Sequence, residues 1–306
     1  MSDSLSFNAS RRRERLQTLV VDSREIAYQD VGSGPTVIFA HCSSASHSAW
    51  APIVAALRSR YRVIAPDLLG YGQSERWPVN MRMQRWTDVG ALLALAESVG
   101  EPVHLVGHSY GGAVALEAAR ILGPRARSVA LIEPAAFHLL RLAGRLAEWH
   151  EITNVGVRMI EALRLRRDRR ATALYMKYWV GRLRWWSMSP RLRRAIVETA
   201  GKVGAEFEAV LHLSRTLGDY TAIETPTRLV AGQRTVRPAR AIIDELLGIL
   251  PNSHLRIVKG AGHMSPITHA AAVGALVTDH LDSTEVRLAR ANQAGSGTVL
   301  HRRSIA

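Results

Sequence analysis

Gly107-His108-Ser109-Tyr110-Gly111 sets a serine between two glycines. It lies where an apolar run, Val103-His104-Leu105-Val106, gives way to a second one through Gly112, Ala113, Val114, Ala115, Leu116 and Ala119. The first run has the character of a buried parallel strand and the second that of a packed helix, which puts Ser109 at the tip of a tight strand-to-helix turn. A Cβ at either flanking glycine would collide with the neighbouring strand or helix as the chain reverses, and the serine itself is forced into a strained backbone conformation. The turn exposes Oγ for nucleophilic attack. The helix start aims backbone N–H groups and a favourable dipole at the same point, so an oxyanion formed there is stabilised. A Gly-x-Ser-x-Gly match alone also fits an ordinary turn. Its strand-turn-helix setting is what makes it a nucleophile elbow.

The elements that must hold this turn can be read on both sides of it. Leu16 to Val21 and Glu25 to Asp30 alternate as a hairpin pair, and Gly32-Ser33-Gly34-Pro35 breaks the chain before the apolar strand Thr36 to Ala40. Ala51 to Leu57 reads as helix, Tyr61 to Ala65 as strand, Pro66 to Ser74 as a turn-rich loop, Thr87 to Val99 as helix and Ser128 to Ile132 as the strand after the elbow. After Glu133-Pro134 the pattern becomes helical and rich in Arg and Trp, continuing to about Tyr220. Alternation then resumes with Thr227 to Ala231 as strand, Arg240 to Leu250 as helix, Leu255 to Val258 as strand and Ala270 to Leu281 as helix. Strands alternating with helices imply a mostly parallel central sheet flanked by helices, hence an α/β fold, with the insertion as a helical cap over the C-terminal edge of the sheet. The expected organisation is an N-terminal extension over 1–15, a core over 16–134 and 221–282, a cap over 135–220, and a mobile C-terminal tail over 283–306.

With 306 residues, 47% of them hydrophobic, the chain can bury a substantial core. No stretch approaches the roughly 18 apolar residues of a membrane span. Met1 to Ser10 lacks the apolar run of a signal peptide, and a single cysteine, Cys42, allows neither an internal disulfide nor a thiolate metal cluster. These features set the expectation of a cytoplasmic protein. The net charge of +14 raises the question of nucleic acid, but no zinc spacing, recognition-helix pattern or aromatic RNA-binding signature accompanies it, so nucleic acid is not an expected partner.

The chain resembles the α/β-hydrolase superfamily over roughly residues 16 to 282. The resemblance rests on His41-Cys42-Ser43 after the third strand, the Asp-x-x-Gly-x-Gly-x-Ser loop from Asp67 to Ser74, the elbow at Ser109, and Gly260-Ala261-Gly262-His263 before the final helix. It implies the α/β-hydrolase fold and a serine hydrolase in which His263 takes the proton of Ser109 and later returns it to the leaving group. The implied oxyanion-hole donors are the backbone N–H groups of Tyr110 and Ser43, with Cys42 standing where the family usually has glycine. His108 is then elbow packing and His41 a structural residue beneath the oxyanion loop. Cys42 has no elbow of its own and is not expected to be a nucleophile.

The triad acid departs from the commonest pattern. It normally follows the strand after the cap as Gly-x-x-Asp, whereas this chain has Gly232-Gln233-Arg234-Thr235. A second location in the superfamily is the end of the strand after the elbow, as in some haloalkane dehalogenases, and Glu133 occupies it. A carboxylate there can accept the Nδ1–H of His263 and hold its tautomer. Asp219 and Glu224, near the cap's exit, are the alternatives, and a dyad without an acid also remains. Serine rather than aspartate at the elbow argues against dehalogenation and epoxide hydrolysis.

The resulting expectation is a serine esterase that cleaves small carboxylic esters of short to medium apolar acyl groups through an acyl-enzyme, with no metal and no cofactor. Lactone or thioester hydrolysis is the alternative within the same fold. A ligand-binding, receptor-like fold with negligible turnover is the alternative from another class. In the cap, Arg164 to Arg170 and Arg182-Leu183-Arg184-Trp185-Trp186 fit either a solvated face or weak association with anionic or lipid surfaces. Leu139, Leu140, Leu142, Leu146, Met159, Met176 and Met188 would line an acyl pocket or pack the cap. The oligomeric state is not legible in the sequence.

Overall fold

The computed structural model describes residues 16–78 and 87–300, except for the side chains of 292 and 294–300. The expected extension over 1–15 and residues 301–306 of the expected tail lie outside the described residues. Strands β1 (Gln17–Val21) and β2 (Arg24–Val31) form the antiparallel hairpin, and β2 continues antiparallel onto β4 (Arg62–Pro66). From there β4, β3 (Thr36–Ala40), β5 (Val103–His108), β6 (Ala126–Ile132), β7 (Thr227–Gly232) and β8 (Ser253–Val258) run parallel, giving the order β1-β2-β4-β3-β5-β6-β7-β8. Helices α1 (Ala51–Leu57), α2 (Thr87–Val99) and α3 (Tyr110–Leu122) connect the first strands. Apolar side chains from the two faces of the sheet enter separate buried clusters, as a doubly covered parallel sheet requires.

The strand order fixes where a ligand can bind. After β3 the chain moves outward to β4 and then returns to β5 on the other side of β3, so the connections leaving β3 and β5 diverge and open a crevice at the C-terminal edge. Ala40 pairs with Gly107 and His108 with Ile132, which brings the ends of β3, β5 and β6 level. Ser43, Ser109 and Glu133 therefore leave the sheet at one edge.

Between β6 and β7 lie α4 (His138–Leu142), α5 (Leu146–Arg164), α6 (Asp168–Val180), α7 (Arg182–Ser187), α8 (Pro190–Glu198), α9 (Ala200–Leu211) and α10 (Gly218–Thr221). The helical insertion thus stands where its pattern placed it. α11 (Arg237–Ile249) starts earlier than its apolar periodicity suggests, because Pro238 fits the first turn. A short α12 (Ser265–Thr268) follows His263.

The C-terminal segment corrects the expectation of a mobile tail from 283. Helix α13 (Ala270–Leu300) continues past Leu281 without a break. Thr284 is buried and donates its hydroxyl to the His280 carbonyl, while Glu285 accepts from Arg127 at 2.9 Å and meets His104 Nε2 at 3.0 Å. The first turn past Leu281 is anchored by polar contacts at Thr284 and Glu285, which an apolar period does not register. Among the described residues, no helix is long and apolar enough to cross a membrane.

Candidate active site

The elbow is built as its glycines require. A Cβ on Gly107 would lie 2.3 Å from the Gly111 carbonyl oxygen, and one on Gly111 would lie 2.3 Å from that of Ala40, so only glycine lets β5, α3 and β3 approach this closely. Ser109 sits at φ 54°, ψ −119°, a region that costs a non-glycine residue on the order of 1–3 kcal/mol. Its backbone is pinned to the end of β6, since its N–H donates to the Ile132 carbonyl at 3.0 Å and its carbonyl accepts from Ala135 N–H at 2.9 Å. Glu133, between those partners, also has positive φ, 43°. The two strained residues belong to one hydrogen-bonded unit.

A chain of hydrogen bonds runs from this unit to the loop after β8. Ser109 Oγ donates to His263 Nε2 at 3.0 Å, and His263 Nδ1 donates to Glu133 Oε2 at 2.6 Å. Glu133 also accepts the Gly232 N–H on Oε1 and the Thr235 hydroxyl on Oε2, both at 2.6 Å. Burial alone would push its carboxyl upward, but the bond and charge of His263, with those from Thr235 and Gly232, outweigh it and hold Glu133 below the usual carboxylate range. The stretch Gly232 to Thr235, which lacks the usual carboxylate, instead supplies donors to the one just past the end of the neighbouring strand. Of the other two candidate acids, Asp219 is held by Thr216 at the start of α10 and Glu224 lends its carbonyl to Asn252, so His263 meets Glu133 instead.

The other histidines support this arrangement without joining it. Burial, with the neighbouring His263, lowers the pKa of His108 to about 3, so it is neutral and its Nε2–H donates to the His263 carbonyl at 2.8 Å. His41 is likewise lowered by burial. It donates Nδ1–H to the Cys42 carbonyl at 2.8 Å and accepts the Leu68 N–H on Nε2 at 2.9 Å, tying the loop after β3 to the loop after β4. The motif from Asp67 to Ser74 is a knot beneath the site. Asp67 accepts from the N–H groups of His47 and Gln73, each at 2.7 Å, and a Cβ on Gly72 would lie 2.0 Å from its carboxylate. Cys42 is buried, and burial pushes its thiol up to about 12, which leaves negligible thiolate near neutral pH.

Ser43 and Tyr110 line the same narrow pocket as Ser109, with about 250 Å³ of empty space, part of it open to solvent. Tyr110 opens α3, whose first turn favours an anion. The cap closes the pocket from above with Phe137, Tyr175, Trp179, Val203, Phe207 and Glu206. None of the seven Leu and Met residues considered for the acyl pocket lines it. Leu139, Leu140, Met159 and Met176 are buried in the cap's packing, because the pocket is faced by α6 and α9 through their aromatic and short apolar residues.

Two residues at the site escape sequence reasoning. Trp179 of α6 lies against His263 with ring centroids 4.1 Å apart and planes 32° apart, covering the imidazole from the cap side. Glu206 of α9 is buried beside Ser43, whose hydroxyl donates to its Oε2 at 2.5 Å. Lys202 and Glu206 stand four residues apart on α9, and nothing in their spacing marks them as buried; only docking of α9 onto the core encloses them. Farther out on the cap, Leu183 and Trp186 are exposed, and Lys177 and Arg193 lie over the Trp186 ring at 5.4 and 5.7 Å. Among the described residues, no group of three or more His, Cys, Asp or Glu is placed to hold a metal ion.

Comparison with known proteins agrees with this architecture. A sequence profile described as the alpha/beta hydrolase family matches residues 37–276. A 2-hydroxymuconate semialdehyde hydrolase from Pseudomonas sp. (strain CF600) is 37% identical over 127 residues, 39% of this chain and 44% of that protein. The curated relatives that head the comparison are matched over less than half of their own length, 30% for an uncharacterised protein of Mycobacterium bovis. Among solved structures, an enol-lactonase from Burkholderia xenovorans LB400 superposes with a TM-score of 0.69 at 21% identity, over 87% of this chain and 100% of the other. An esterase from Thermogutta terrifontis superposes with a TM-score of 0.68 at 20% identity, over 88% and 99%. At those identities the likeness is one of fold.

Proposed function

The chain belongs to the alpha/beta hydrolase family, and from that premise we propose that it is a serine hydrolase cleaving carboxylic esters of short to medium apolar acyl groups. The observation that carries the reading is the unbroken Ser109–His263–Glu133 relay, with hydrogen bonds of 3.0 and 2.6 Å at the crevice of the sheet. In this reading His263 Nε2 takes the Ser109 proton as Oγ attacks the ester carbonyl, and the same proton passes to the departing alkoxide. Water then attacks the acyl-enzyme, again through His263, and releases the acid. Glu133 holds Nδ1–H, so Nε2 is free to accept, and its charge stabilises the imidazolium that forms in each step. The backbone N–H groups of Ser43 and Tyr110 are the proposed donors to the oxyanion. The apolar wall of Ala135, Phe137, Val203, Phe207 and Val210 suits a short to medium acyl chain and supports that choice of substrate.

The absence of a carboxylate in Gly232 to Thr235 is what favours the ligand-binding alternative, and the 2.6 Å contact of His263 Nδ1 with Glu133, just past β6, supports the hydrolytic reading. Lactones and thioesters share the same mechanism and remain substrates to compare. The test is a serine-reactive phosphonate probe together with turnover of p-nitrophenyl esters. Labelling and turnover of the intact chain, both absent from Ser109→Ala, are expected. Equal labelling of the two proteins would remove Ser109 as nucleophile.

A further inference from the structure

Among the described residues, Glu206 is the one carboxylate that lines the pocket, and the relay described above does not use it. Its Oε1 accepts from the Tyr71 hydroxyl at 2.8 Å and lies 3.4 Å from Lys202 Nζ, while its Oε2 accepts from Ser43 Oγ. Lys202, fully buried, is shared, since its Nζ also lies 2.6 Å from Asp88 Oδ2 and over the rings of Trp77, Tyr110 and Tyr71. A carboxylate oxygen accepts two hydrogen bonds comfortably. Among the described residues Oε1 thus has two partners and Oε2 one, which leaves a strong acceptor position at the pocket that Glu206 lines.

We propose that Glu206 is a specificity-determining residue that recognises a hydroxyl group borne by the acyl chain one or two carbons from the scissile carbonyl. The distance along the chain follows from Ser43. Its side chain holds Glu206 and its backbone N–H is a proposed oxyanion donor, so the carboxylate stands close to where the carbonyl oxygen is bound. This inference rests on the ester-hydrolase reading of the same site. A polar group built to meet a substrate hydroxyl discriminates against the analogue lacking it, because the buried partner is then left unpaired.

The test compares kcat/KM for the p-nitrophenyl esters of 3-hydroxybutyrate, 3-methoxybutyrate and butyrate in the intact chain and in Glu206→Gln. The intact chain prefers the hydroxy ester over butyrate by about tenfold to a hundredfold, the worth of a hydrogen bond to a charged group. In Glu206→Gln that ratio falls to near unity and the methoxy ester, which only accepts, gains relative to the hydroxy ester. A second readout needs no variant. Burial pushes the Glu206 carboxyl up to about 7, against the opposing pull of Lys202 and the Ser43 bond. The hydroxy-to-butyrate ratio therefore rises several-fold between pH 6 and pH 8, and titration of the shared Ser109–His263–Glu133 relay cancels in the ratio. The groups facing Glu206 are the Lys202–Asp88 pair, Tyr71, Tyr110, Tyr175 and Cys42, and burial pushes the last four upward, out of that window. Turnover of the esters with the same ratio in both proteins and at both pH values overturns the role of Glu206 and leaves the hydrolase reading standing. No Ser109-dependent turnover of any of the three overturns both.

Discussion

Replacing Glu133 with Gln keeps the shape of the side chain but cannot satisfy its surroundings. The carboxylate accepts three donors, the Gly232 N–H on one oxygen and the His263 Nδ1–H and Thr235 hydroxyl on the other. An amide has one oxygen and one NH2, so one side must change. If the amide oxygen faces His263, the NH2 points at the Gly232 N–H, and two buried donors oppose each other at a cost of about 1–3 kcal/mol. If the oxygen faces Gly232, the Thr235 hydroxyl can rotate to accept, but His263 must present Nδ1 as an acceptor and carry its proton on Nε2. That tautomer cannot take the Ser109 proton. The orientation penalty alone therefore removes about 5- to 150-fold of the competent form, and loss of the carboxylate charge beside the imidazolium deepens it. The expected loss in kcat on an activated p-nitrophenyl ester is about 10²- to 10⁴-fold, roughly 3–5 kcal/mol in barrier, with a native far-UV circular dichroism spectrum. Asp219→Asn and Glu224→Gln, away from His263, should leave kcat within a few-fold. Glu133→Gln with near-full kcat would refute the reasoning.

Four further outcomes follow from the same contacts. Thr235→Val removes one donor to Glu133 and should lower kcat by about three- to tenfold while leaving KM nearly unchanged, measured on the same ester. Cys42→Ala should retain activity, and iodoacetamide at pH 8 should label native Cys42 far more slowly than the urea-unfolded chain, since the thiol is buried and pushed up to about 12. Glu206 binds a proton more tightly folded than unfolded, its carboxyl moving from 4.5 to about 7, so its contribution to stability is fully present below about pH 4.5 and is lost as pH rises through 7, by on the order of 3 kcal/mol. The Tm of Glu206→Gln relative to the parent should accordingly be higher at pH 8 than at pH 5, and the reverse order would refute that sign. Glu285→Ala leaves buried His104 without its Nε2 partner and Arg127 without its ion pair, so urea unfolding should show a loss of about 1–3 kcal/mol, whereas a mobile tail would show none.

The elbow, the parallel sheet and the helical insertion were all legible in the sequence because each rests on local patterning. Ser109 is marked by glycines whose need is steric and immediate, and strands buried on both faces read as continuous apolar runs. His263 and Glu133 were candidates through the family resemblance, the first by its glycine-rich motif and order in the chain and the second by its place at the end of the strand after the elbow. What the sequence could offer for Glu133 was a position, with Asp219 and Glu224 as rivals. The contact across 130 residues that joins it to His263 is a product of strand order, which sets β6 between β5 and β7.

Tertiary structure alone decided what stands over the site. Trp179, Tyr175 and Glu206 lie on cap helices whose amphipathic pattern says which face is buried but not against what, so their meeting with His263 and Ser43 appears only once α6 and α9 are docked. The same holds for Lys202, whose charge argues for solvent until Asp88 and three aromatic rings from distant segments enclose it. It holds also for α13 beyond Leu281, where Glu285 finds its partners on β5 and β6. Hydrophobic period and turn chemistry act between residues near in sequence, so they carry the elements and the elbow that holds Ser109. Partner choice for a buried polar group is made across the fold, and there the sequence by itself supplies the residue but not its neighbour.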